Sequence, residues 1–239
     1  MNRFPRKGSR APRSSGRAVL LLSLLLLVLC TGGAVTQPVD DPIVVIEVWT
    51  ELDPIVADGT ERPVPREVAL ERLVDEAQRV LSGMIYGYRF AYTPADPARR
   101  IAERFDLDPI GTIVRGDPGF TVFQTWIDRD RLYARIFYTM NASQMRWRQG
   151  WQATANARSA AIGTTPFVEG PTEKHRAIRD GVRLAIREYV RQRNFNRPQA
   201  VTGAVLLADA PVHGIRSGHY EARVSVYFQI DAIERYQHY

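Results

Sequence analysis

The feature that most limits what this chain can become is a thirteen-residue apolar run, AVLLLSLLLLVLC at 18–30, directly behind a basic amino terminus. Arg3, Arg6, Lys7, Arg10, Arg13 and Arg17 make that terminus positive, and it holds no acidic residue. Crossing the hydrocarbon core of a bilayer takes ~20 apolar residues, so the run is too short for a permanent span. A positive region, a short apolar region and then small residues follow the order of an export signal. Gly32 and Ala34 provide the small-x-small pattern for cleavage before Val35, which marks residues 1–34 as a signal peptide.

Cys30 opens a second processing route. The stretch LVLC at 27–30 is similar to a bacterial lipobox, whose cysteine becomes the lipidated first residue and a membrane tether. Leu29 departs from that pattern by placing a bulky side chain where a small one belongs. The sequence therefore favours two locations, the periplasm or a lipid-anchored position at the outer membrane, over anchoring by an uncleaved signal.

Cys30 is the only cysteine, so the exported part has no internal disulfide. It must be held by an ordinary hydrophobic core, and some 200 residues are enough to build one. Charge changes meaning once the signal is set aside. The whole chain is +6, from 32 basic and 26 acidic residues. Six of the basic ones lie in residues 1–17, which leaves 26 of each sign and a formal charge of zero. A nucleic-acid partner requires a basic footprint on the folded domain, and that support disappears with the signal.

Periodicity then sets the architecture. Residues 35–42 read as a linker, and IVVIEV at 43–48 as a strand. Leu70, Leu73, Val74, Ala77, Leu81, Met84 and Ile85 form one stripe on a 3.6-residue period, the mark of a helix packed on one side. Residues 86–92 continue as a strand, and Asp96-Pro97 starts a short helix running to about Phe105. Residues 121–127 and 132–140 form a hairpin across Asp128-Arg129-Asp130-Arg131, and 141–161 reads as helical. In the second half, a helix over 172–193 buries Ile178, Val182, Ala185, Ile186 and Tyr189. A strand at 200–207 and a His-, Gly- and Ser-rich loop follow. In the last strand Ala222, Val224, Val226, Phe228 and Ile230 alternate with polar residues, so one sheet face meets the core.

The halves repeat this order. PIVADG at 54–59 and PFVEG at 166–170 precede the two long helices, and Ala134-Arg135-Ile136 recurs as Ala222-Arg223-Val224. The expected fold class is α+β: antiparallel sheets packed by amphipathic helices, in two duplicated β-α-β-β units. The first unit is 43–141, the connecting segment 142–171 and the second unit 172–239. In element order alone the first half resembles small modular domains of bacterial envelope assembly proteins.

No catalytic or cofactor signature emerges. His175, His213, His219 and His238 lack the spacing of a zinc motif. Gly214-Ile215-Arg216-Ser217-Gly218 displaces its serine by one position from G-x-S-x-G and precedes a strand, so it is no nucleophile elbow. Asp106/Asp108 and Asp128/Asp130 suit turns, where Asp bonds its own backbone. Trp147 and Trp151 read as core or interface anchors. One surface feature points to a partner: Arg176, Arg179, Arg183, Arg187 and Arg191 line one side of the 172–193 helix. Guanidinium forks match carboxylates and phosphates, so this stripe is the expected surface for an anionic partner. The expected role is that of a non-enzymatic structural or interaction protein of the cell envelope, with envelope proteins as partners and no cofactor. The alternative is an envelope enzyme or ligand binder acting on a glycan or peptide.

Overall fold

The computed structural model describes residues 41–56, 62–152, 156–193 and 197–236. Nine strands and three α-helices are set in the order β1 (Ile43–Glu51), α1 (Arg66–Ile85), β2 (Tyr88–Thr93), β3 (Arg104–Pro109), β4 (Phe120–Asp128), β5 (Arg131–Thr139), α2 (Ala142–Gln152), β6 (Ala157–Pro166), α3 (His175–Arg193), β7 (Ala200–Leu207), β8 (Val212–Arg216) and β9 (His219–Glu234). The fold is α+β, with every strand pairing antiparallel.

The strands form two sheets. One has the order β1-β5-β4; the other runs β3-β2-β7-β9-β6, with β8 on the first part of β9. Alternation explains which faces meet. Val44, Ile46 and Val48 of β1 are buried while Ile43, Val45 and Glu47 are not. Along β5, Leu132, Ala134, Ile136 and Tyr138 are buried in the same way. Helix α1 lays its apolar stripe over β1, β5 and β7, and α3 packs on β6 and β9. The buried side chains of both sheets form one continuous core, and residues 40–239 cluster as one unit. Strands β2 and β3 from the first half complete the second-half sheet, because β2 pairs with β7.

A glycine pair sets the closest approach. A Cβ on Gly163 in β6 would fall 2.0 Å from the Gly181 nitrogen and 2.1 Å from the Ala177 carbonyl oxygen. Backbone of α3 therefore rests directly on backbone of β6, which only a residue without a side chain permits.

Three expectations are corrected. The helix over 96–105 is a single 3-10 turn, Pro97–Arg99, capped by Asp96 as expected but stopped by Arg100 at φ 58°. The chain beyond it is drawn into pairing with β2, where Phe105 is buried opposite Tyr92. The helical reading of 141–161 holds over Ala142–Gln152, while Ala157 onward belongs to β6. The loop after β7 contains β8, hairpinned to β9 through Ser217 and Gly218, both at positive φ. That two-residue turn type matches the twist of the flanking strands. Among the described residues no helix is long and apolar enough to cross a membrane.

Candidate functional site

Three features could carry function: a groove, a buried ionic cluster and an exposed sheet face. The groove, about 700 Å³, lies between α1 and α3. Asp75, Gln78 and Arg79 of α1, Asp106 and Asp108 of β3, and His175 and Arg179 of α3 contribute its polar walls. Its size suits a small molecule, but most of its charges are already engaged. Asp75 pairs with Arg115 at 3.2 Å and Asp106 with Arg104 at 2.8 Å, while Arg179 donates to the Phe105 carbonyl. Tyr88 sits deep in it, and burial pushes its hydroxyl up to about 12. His175 Nδ1 lies 3.0 Å from the Thr172 carbonyl oxygen. The groove can hold a polar ligand; its walls bring together no hydrogen-bonded nucleophile and base.

The buried cluster was not apparent from the sequence. Lys174, the only lysine after the amino-terminal region, points inward just before α3. Its Nζ lies 2.8 Å from Glu76 Oε2 of α1, donates to the Trp49 carbonyl at 2.5 Å, and sits 3.9 Å from the centre of the Trp49 ring. Arg131 covers the same ring at 4.2 Å. His213 of β8 places Nδ1 3.5 Å from Glu76 Oε1, and Tyr220 of β9 donates to Glu51 Oε2 at 2.6 Å. The Lys174 and His213 side chains are each 4% exposed.

Burial dominates the electrostatics here, as it does for charged groups removed from water. It lowers the Lys174 ammonium, against the pull of Glu76. It drives His213 down to about 4, opposed by Glu76 and reinforced by Lys174, so the ring is neutral near pH 7. Neither His213 Nε2 nor Glu76 Oε1 has a hydrogen-bond partner. The cluster ties α1, β1, β8, β9 and the start of α3 together beneath the surface, and none of the described cavities is lined by Lys174, Glu76 or His213. A lone lysine in a chain otherwise free of lysine after residue 7 was the signal that could have found it.

The third feature is the outer face of the β1-β5-β4 sheet. Phe123 stacks on Phe137 with ring centres 4.6 Å apart, and Trp126 on Tyr133 at 5.3 Å. The Glu47–Arg135 ion pair crosses the middle at 2.5 Å. Phe123 remains 59% exposed and Val45, across β5 on the same sheet, 51%. Strand β4 pairs with β5 alone among the described residues and carries no charge from Phe120 to Ile127. A bulge at Phe123 shifts the register, after which Gln124–Asp128 runs uninterrupted.

A protein-family model matches residues 31–236. The chain belongs to that family. It is also similar to an uncharacterized protein of Treponema pallidum (strain Nichols), 24% identical over 238 residues that cover 97% of this chain and 100% of the relative. No solved structure matches. The family match takes in all three features, from β1 to β9.

The residues singled out from the sequence fall in different places. Cys30 lies outside the described residues. The arginine stripe is largely consumed within the chain: Arg176 contacts Glu169 and Glu173 at 2.6 Å, Arg183 contacts Asp180 at 2.7 Å and also Glu103, and Arg191 contacts Glu188 at 2.9 Å. Arg179 is spent on the Phe105 carbonyl, and Arg187 alone stands 4.0 Å from its nearest carboxylate oxygen, on Glu103. Asp128 and Asp130 flank Arg129 at the β4–β5 turn. Asp209 pairs with Arg158 and His219 bonds its own turn, far from forming a site with His213. Among the described residues no three potential metal ligands converge. Trp147 and Trp151 meet edge to face, Trp151 buried and Trp147 donating to the Tyr86 carbonyl.

Proposed function

We propose that this is an exported cell-envelope protein that works without catalysis, by docking an extended strand of another envelope protein on β4. The observation that carries the reading is the free edge and aromatic outer face of the β1-β5-β4 sheet. An edge strand presents a row of unpaired backbone donors and acceptors, which natural proteins normally blunt with charge, proline or a cover. Here eight residues, Phe120 to Ile127, contain no charge and no proline. Strand addition satisfies those backbone groups, and exposed aromatics beside the edge supply apolar contact.

The occupant is an uncharged, apolar strand of a different protein. Antiparallel pairing of β4 with a second copy about Gln124 would set Phe120 against Asp128 at both ends. Pairing about Thr125 would set Val122 against Asp128. Either register sets an apolar residue against a carboxylate at both ends, whereas a strand without acidic residues that ends short of Asp128 avoids both. Export is supported by the basic and apolar segments at 1–30 and by a family match that starts at residue 31. Lipidation of Cys30 would add a tether; intact mass of the membrane fraction distinguishes it from cleavage before Val35. Binding of the partner strand should be abolished by Thr125→Pro. A chain whose binding survives that change does not dock through β4.

A second reading, ligand binding on a glycan or peptide, is favoured by the groove between α1 and α3. Protection of Asp108 and Arg79 resonances by a soluble glycan or peptide would promote it over the first.

We also infer that the two halves arose by duplication. Pairing supports this: Val48 opposes Ala134 and Ile46 opposes Ile136, as Gly163 opposes Ala222 and Ala161 opposes Val224. The strands that follow the two long helices, β2 and β7, pair with each other.

A further inference from the structure

We propose that a cavity of about 520 Å³ beside the carboxyl-terminal half of α3 binds a phosphate monoester. The site is independent of β4. Arg187, Arg191 and Arg197 line it together with a single carboxylate, Glu103. That carboxylate is already occupied on both oxygens: the Tyr92 hydroxyl donates to one at 2.8 Å, and Arg183 donates to the other. Arg187 remains 4.0 Å from it, beyond hydrogen-bond reach, with its side chain 55% exposed. Among the described residues Arg197 donates once, to the Ala95 carbonyl at 2.9 Å, and its fork has further donors without a partner there. Arg191 is paired with Glu188.

Charge makes the preference for an anion explicit. Three guanidiniums against one carboxylate leave an excess of two in the lining, and counting the outer partners Glu188, Arg183 and Asp180 as well leaves an excess of one. Within the stripe Arg187 differs from Arg176, Arg179, Arg183 and Arg191, which carboxylates or a carbonyl have taken up. Guanidinium forks bind phosphate oxygens in pairs, so a phosphate suits a lining whose guanidiniums outnumber its carboxylates. The remaining wall is apolar, formed by Tyr92, Pro94, Val190 and Pro198. The cavity is larger than inorganic phosphate needs, so the phosphate carries an organic body that rests on that wall. Either a lipid headgroup or a free organic phosphate has this chemistry.

Titration calorimetry of the full chain with phenyl phosphate tests the free source, and flotation with phosphatidic acid vesicles, against phosphatidylcholine alone, tests the lipid source. The Arg187→Gln, Arg197→Gln double variant should weaken binding at least tenfold, with Arg187→Lys intermediate. Arg158→Gln, on β6, should leave it unchanged. The apolar run at 18–30 contributes equally to all four chains, so vesicle binding by that run cancels. Unchanged circular dichroism and melting confirm that the variants fold. Arg187-dependent binding of either probe supports the site and names its source. Failure of both probes to bind, or binding that the double variant retains, overturns it.

Discussion

Lys174 Nζ and Glu76 Oε2 meet at 2.8 Å, with the lysine side chain 4% and the glutamate 12% exposed. A pair this far from water is held by mutual attraction, and removing one member strands the other. Lys174→Met should cost about 3–5 kcal/mol, the range for breaking a buried ion pair. The double variant Lys174→Met, Glu76→Leu should recover most of that loss, because it removes both charges. Urea unfolding of the three chains measures it. A single variant within about 1 kcal/mol of the parent would place the pair in contact with solvent.

His213 gives the fold a pH dependence whose sign can be worked out. Its folded value is about 4 and its unfolded value ~6.5, so between them the unfolded chain binds more protons. The contribution is therefore fully present above pH 6.5 and is lost as pH falls to 4. At ~1.4 kcal/mol per unit the loss is about 3 kcal/mol. His213→Leu should flatten this segment of the stability profile, followed by urea midpoints from pH 4 to 7.

Gly163→Ala should destabilise by about 3 kcal/mol, the upper part of the range for overpacking. The added methyl would meet Gly181 and Ala177 backbone at 2.0–2.1 Å, and backbone cannot turn aside as a flexible side chain can. Gly214→Ala, whose added Cβ would meet nothing within 4 Å, should leave the melting temperature near that of the parent.

Periodic segments were legible because one element sets their whole pattern. Residues Leu73, Ala77 and Leu81 could be placed on a buried helix face, and Ala222, Val224 and Val226 on a buried sheet face, without knowing their neighbours. Segments whose state depends on a distant partner were not. The 3-10 turn at Pro97 ends because β3 pairs with β2, and β8 is a strand because β9 runs beside it. The same reason hid the cluster: Lys174 and Glu76 are 98 positions apart, and His213 reaches them only through the β8–β9 hairpin. The arginine stripe failed differently. Spacing placed its five members on one helix side, but Glu103 and the Phe105 carbonyl, which occupy two of them, come from outside that helix.

Tyr220→Phe isolates the other half of the buried network. It keeps the ring that packs on Phe167 at 4.9 Å and removes the hydroxyl that donates to Glu51 at 2.6 Å. The expected cost is about 1–3 kcal/mol, that of leaving a buried acceptor without this donor. Thermal unfolding measures it, and a neutral outcome would show water reaching Glu51.

The proposed docking strand is tested most directly by placing a photo-crosslinking residue at Gln124 in cells that export the chain. One protein adduct is expected, linked through an extended segment without charged residues and lost when Thr125→Pro blocks the edge. An adduct with a second copy of this chain, or equal adducts from Gln124 and from a control probe at Asp108 in the groove, would contradict it.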